Sequence, residues 1–154
     1  MYDEIVVEMK NDNKPEGFFM GSKLFIIVNQ TNKALYFVNT ETSADNESVN
    51  PVIFSDLPSI NVTAGQHGEG CDVPDCSAEK YYDDHHMEIN LDQNDPPTNL
   101  FTFWYNDDKN DYYYSTTDSF NSSAIIPGNA SSSGTKKVLY IRADNSIFLS
   151  DIKE

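Results

Sequence analysis

The sequence predicts an all-β protein, a single-domain antiparallel β-sandwich with long polar loops over residues 1–154. Three observations lead there. Short β-branched and aromatic runs recur, separated by Asn-, Asp-, Gly- and Pro-rich clusters at roughly ten-residue spacing. No window of about eleven residues carries apolar positions at i, i+3, i+4 and i+7, so helix signals are nearly absent. Aromatic residues make up 12 % of the chain, which argues against disorder although the hydrophobic fraction is modest and the net charge high.

Taken in order, the first strand is Ile5 to Met9, closed by Asn11-Asp12-Asn13-Lys14-Pro15-Glu16-Gly17, and Phe18 to Met20 follows. Leu24 to Asn29 holds the longest apolar run, and Ala34 to Val38 comes after five polar residues that read as a hairpin. Thr40 to Asn50 is a polar loop. Val52-Ile53-Phe54 is a short strand or turn, Ser59-Ile60-Asn61-Val62-Thr63 alternates as a short strand, and residues 65 to 80 form a long Gly-, Cys- and Asp-rich loop. Met87 to Leu91 alternates strictly. Leu100 to Tyr105 is the strongest strand, and Tyr112-Tyr113-Tyr114 returns after the turn at Asn106 to Asp111. Residues 115 to 135 are Ser-, Gly- and Asn-rich, with Ile125-Ile126 as their anchor. Val138 to Ile141 and Ser146 to Ile152 pair across Arg142-Ala143-Asp144-Asn145.

Asp and Glu outnumber Lys and Arg 25 to 10, a formal net charge of -15. Such a surface repels phosphate backbones and anionic bilayers, so no nucleic-acid partner is expected. Neutral or zwitterionic lipids, glycans, cations such as calcium and basic proteins remain as partners. No stretch approaches the roughly 20 apolar residues of a membrane helix. Five N-x-S/T sequons, at Asn29, Asn46, Asn61, Asn121 and Asn129, point to secretion or an extracellular location. The acidic N-terminus shows no signal peptide, which leaves a cytoplasmic location or another export route open.

Catalytic signatures are missing. Gly-x-Ser-x-Gly is absent, no Gly-rich loop precedes a helix, and no enzyme is expected. Cys71 and Cys76 read as a small disulfide loop or as two unpaired thiols. Either could face His85 as a Cys–His pair, and His67, Cys71, Cys76 and His85 have zinc-ligand chemistry at a spacing that matches no zinc pattern. Two adjacent histidines in a strand point to opposite faces, so only one of His85 and His86 could join such a site. Carboxylates crowd two stretches: Asp72, Asp75, Asp83, Asp84, Glu88, Asp92 and Asp95, and then Asp107, Asp108 and Asp111. No cofactor is required by these residues. A calcium ion would relieve their repulsion, with Asp83, Asp84, Asp107, Asp108 and Asp111 as its ligands, although neither stretch fits an EF-hand loop.

The segment from Phe101 to Tyr114 is the richest in aromatics. As a strand it places Phe101, Phe103 and Tyr105 on one face and Thr102 and Trp104 on the other. Either both faces are buried in a sandwich, or Trp104, Tyr105, Tyr112, Tyr113 and Tyr114 supply a surface that stacks on sugars or enters a lipid headgroup layer.

Ile26-Ile27-Val28-Asn29-Gln30-Thr31-Asn32-Lys33-Ala34-Leu35 resembles the opening strand of the aegerolysins, where an apolar strand runs into Asn-x-Thr/Ser and a second strand. Leu57 to Gln66 is similar to that family's proline-led segment ending in a Gly turn. Phe101-Thr102-Phe103-Trp104-Tyr105-Asn106-Asp107 resembles its aromatic strand, with Tyr114-Ser115 and Val138-Leu139-Tyr140-Ile141 as the later ones. The likeness covers residues 24 to 141. The family's Gly-Thr-Glu-Gly stretch and its Asp-Asn-Pro turn have no counterpart here, and the first 20 and last nine residues are extra. The resemblance implies a small acidic β-sandwich that binds neutral sphingolipid headgroups, and some members of that family act with a larger pore-forming protein partner. The residues alone support a calcium-stabilised or carbohydrate-binding surface or adhesion module as the alternative.

Overall fold

A computed structural model describes residues 23–41, 47–49, 62–63, 71–131 and 136–152. Twelve strands are described: β1 (Lys23–Asn29), β2 (Leu35–Asn39), β3 (Glu47–Val49), β4 (Val62–Thr63), β5 (Cys71–Asp72), β6 (Met87–Asn90), β7 (Asn99–Asn106), β8 (Asp111–Ser115), β9 (Ala124–Ile125), β10 (Gly128–Asn129), β11 (Lys136–Ile141) and β12 (Ile147–Asp151). They form two sheets. The first runs β9-β8-β7-β6-β2-β3, and the second runs β10-β12-β11-β1-β4, with β5 also paired to β1.

The sandwich follows from period-two patterning. Leu35 and Phe37, Met87 and Ile89, and Phe101 and Phe103 face inward from the first sheet, and Leu24, Ile27, Leu139, Ile141, Ile147 and Leu149 meet them from the second. These residues form one core, and removing their apolar surface from water is the main force holding the sheets together. The hairpin expected between Val138 and Ile152 is present, with Ile141 opposite Ile147 and Lys137 opposite Asp151. The β7–β8 hairpin closes on Asn106 opposite Asp111. Asn110 turns the chain there at φ +59, which Asn tolerates, and its Oδ1 accepts the Tyr105 hydroxyl at 2.7 Å.

Several expectations are corrected. β1 and β2 are not a hairpin, because they lie in different sheets. Asn29 holds the crossover: its Oδ1 accepts the Thr31 N–H and hydroxyl at 2.9 and 2.6 Å, and its amide donates to the Lys33 carbonyl at 2.8 Å. The second sheet is mixed, since β1 runs parallel to β11 and β10 parallel to β12; side-chain alternation carries no information about strand direction. The polar loop at 40–50 contains β3, an edge strand on β2. Residues 65–80 include β5, and beyond it Pro74 and Cys76 bond to the backbone of Tyr105. Glu79–Asp84 forms a 3₁₀ helix, too short to leave a periodic signal. The strands expected at 5–9, 18–20 and 52–54, the sequons at Asn46 and Asn61, and His67 lie outside the described residues.

Candidate functional site

A cleft of about 430 Å³ opens at one end of the sandwich. Its apolar lining is Leu100 and Phe101 from β7, Ile147 from β12, and Pro127 from the link between β9 and β10. Tyr114 of β8 lines one wall beside Thr116. The β11–β12 turn supplies Asp144, Asn145 and Ser146 to the rim. That turn is built to hold its shape. The Arg142 N–H donates to the Ser146 carbonyl and the Asn145 N–H to the Arg142 carbonyl, both at 2.8 Å. Asn145 sits at φ +69, and Asp144 Oδ1 accepts the Ser146 N–H at 3.0 Å.

Hydrogen bonds from Ser146, helped by the charge of Arg142, hold the Asp144 carboxyl below its usual value of 3.8. It is therefore ionised at neutral pH and ready to accept. The Tyr114 phenol, the Thr116 hydroxyl and the Asn145 amide have no side-chain hydrogen bond to any described residue. The cleft thus offers apolar side chains together with donors and acceptors contributed by separate elements. Its volume lies in the range of small-ligand sites, roughly 300–1,000 Å³.

Of the five aromatic residues proposed from sequence, the structure brings only Tyr114 to this cleft. Trp104 is not at the surface. It is fully buried on the outer face of the first sheet, in a second small core with Cys76 and Tyr82, onto which Tyr113 and Phe120 pack. The 3₁₀ helix supplies that cover: Tyr82 meets the Trp104 ring edge-on at 5.3 Å, and Phe120 stacks on it at 5.7 Å. Tyr105 and Tyr112 are also buried, and Tyr113 is half-buried. Both faces of β7 are therefore interior, and the aromatic stretch makes no exposed stacking platform. Asp144 and Asn145 lie in the β11–β12 turn and Thr116 just after β8, and polar turn residues carry no mark of what the opposite sheet places beside them.

The same outer face carries a buried polar network. His86 Nδ1 donates to the Tyr82 carbonyl at 2.5 Å, and Nε2 donates to Glu88 Oε2 at 3.0 Å. Both partners only accept, so the ring carries both protons and pairs with the Glu88 carboxylate. Burial opposes that charge, but the bonds to Glu88 and Tyr82 outweigh it and raise His86 above 6.5, while the bond from His86 lowers Glu88 below 4.5. The Tyr82 ring lies flat on the imidazole at 4.3 Å, and its hydroxyl donates to Asp118 Oδ1 at 2.7 Å beside the Thr102 hydroxyl at 2.8 Å. With both nitrogens occupied, His86 has no lone pair for a metal or a nucleophile. His85 turns away, its Nδ1 against Asp84 and the Tyr81 carbonyl.

The disulfide is also corrected: Cys76 is a free, buried thiol that donates to the Ala78 carbonyl at 3.3 Å. Burial raises its pKa above 9.0, the opposite of what a thiolate nucleophile or zinc ligand needs. The five carboxylates proposed for calcium divide between two places. Asp83 and Asp84 are exposed on the 3₁₀ helix. Asp107 and Asp108 are exposed in the β7–β8 turn, where the Asp107 N–H donates to Asp75 Oδ1 at 3.0 Å, and Asp111 accepts the Tyr112 N–H. Among the described residues, no three His, Cys, Asp or Glu side chains converge on a point that could hold a metal ion. No protein family, curated protein or solved structure matches the chain.

Proposed function

We propose that this protein is a non-enzymatic binding module that holds a neutral, hydroxyl-bearing group in the cleft between its sheets. The ligand class is a sugar or the uncharged headgroup of a sphingolipid. The observation that carries the reading is one cleft lined by the apolar Phe101, Pro127 and Ile147 together with the Tyr114, Thr116 and Asn145 polar groups and the ionised Asp144. A ring of hydroxyls above an apolar face is the complement of that lining. The Asp144 carboxylate and the net charge of -15 both disfavour anions.

The test is a glycan array and liposome co-sedimentation on the full chain, with Tyr114→Ala and Asp144→Asn beside it. Retention by a neutral glycan, lost in both variants, supports the reading. Retention only by neutral sphingolipid liposomes favours the toxin-component role that the aegerolysin resemblance implies. Binding that survives both substitutions, or no binding to either ligand class, refutes the cleft as the site.

A further inference from the structure

Lysine is seldom fully buried, yet Lys137 has no solvent exposure. It stands on the core side of β11, in step with Leu139 and Ile141. Its antiparallel register partner is Asp151 on β12, and its Nζ lies directly against Asp151 Oδ1. The Tyr112 ring from the opposite sheet lies 6.0 Å from Nζ. The Ser131 N–H donates to both Asp151 oxygens at 3.2 Å. Paired backbone therefore holds an amine and a carboxyl in contact, with the amine sealed from water.

We infer that Lys137 and Asp151 condense to an intramolecular isopeptide bond. The neutral Lys137 amine adds to Cγ of the protonated Asp151 carboxyl. The hydroxyl then leaves as water with a proton from nitrogen, and an Nζ–Cγ amide remains. The ion pair and the neutral pair differ only by a proton passed between them, so the balance needs no co-reactant. Burial pushes the Lys137 amine below its usual value of 10.5, against the opposing pull of the Asp151 carboxyl; the neutral form of the pair is the one that condenses. The Ser131 N–H is placed to receive the charge that grows on the carboxyl oxygen as nitrogen attacks. Two groups held in contact on fixed strands react with an effective molarity of roughly 10⁵–10⁸ M.

The experiment is the intact mass of the full, folded chain after several days at neutral pH, measured under denaturing conditions. The expected result is a chain lighter by one water than its sequence, and a tryptic fragment in which residues 137–142 are joined to 143–153. Lys137→Met and Asp151→Ala should each return to their sequence masses; this control is read on the denatured chain and does not depend on how well either variant folds. A wild-type chain at its full sequence mass overturns the inference and leaves an ordinary buried ion pair. Loss of water without the joined fragment, or one that persists in Asp151→Ala, places the change elsewhere and overturns it as well.

Discussion

Replacing Glu88 with Gln keeps the shape of the side chain and removes its charge, leaving the His86 imidazolium without its counter-ion. The His86 side chain is 4 % exposed and that of Glu88 is 21 %. The pair therefore falls between an exposed ion pair, worth roughly 0–1 kcal/mol, and a fully buried one, whose disruption costs roughly 3–5 kcal/mol. A loss of about 2 kcal/mol near pH 6 is expected between those limits. The pH dependence follows from the two shifts. His86 is raised, so its contribution is fully present below 6.5 and is lost as pH climbs through its folded value. Glu88 is lowered, so its contribution is present above 4.5 and is lost as pH falls through its folded value. Wild-type stability from this pair is thus a plateau that declines on both sides, and the variant's deficit should shrink in alkaline solution. Urea unfolding at pH values near 6 and near 9, followed by the emission of Trp104, reads both. His85 is also raised, but it is a third exposed and common to both chains, so it cancels in the difference. An equal deficit at both pH values would refute the ionised pair.

Trp104→Phe keeps the stacking on Phe120 and removes an indole N–H that is buried without an acceptor, so it should cost no more than about 1 kcal/mol in urea unfolding, against roughly 3–5 for Trp104→Ala; equal losses contradict the packing described. Gly128→Ala places a Cβ 1.9 Å from the Leu149 carbonyl oxygen at φ +141, and a fall in stability of roughly 1–3 kcal/mol or more is expected in thermal melts, whereas a neutral result would displace β10 from β12. In a Cys71→Ser background, Cys76 should react with a thiol reagent only once the chain unfolds, because it is buried and its pKa is raised; fast labelling of the folded chain would show that this second core is open. Expressed through a secretory pathway, folded chains should carry glycans at the exposed Asn121 or Asn129 but none at Asn29, which is fully buried with its amide bonded to Lys33; a peptide map finding a glycan on Asn29 would refute the crossover geometry.

Strands were legible wherever a run was long and bounded by turn residues, as at β1, β7, β8, β11 and β12. Which sheet a strand joins was not, because β1 and β2 are close in sequence and each is completed by strands far along the chain. Trp104 shows the same limit for the site. Alternation correctly put it on the face opposite Phe103, but what lies over that face comes from Tyr82, Cys76 and Phe120, none of which is adjacent in sequence. A lysine at a core position contradicts the ordinary strand pattern, and the register partner Asp151, far along the chain, is what the sequence does not place beside Lys137. The cleft was invisible for a simpler reason, since an inter-sheet gap depends on how the two sheets splay.

β1 sits inside the second sheet, between β11 and the short β4 and β5. Its Lys23 pairs with Lys136, 113 residues further on. During synthesis the run Leu24–Val28 therefore emerges long before the strand it will lie beside, and for that interval it is an unsatisfied β-forming segment of the kind that joins other chains edge to edge. The excess of carboxylates then protects the nascent chain as well as shaping the finished surface. Growing chains that share one sign of charge repel each other until β11 arrives. Acid or divalent salt, by quenching that repulsion, should lower the yield of refolding at concentrations that leave the completed sandwich unaffected.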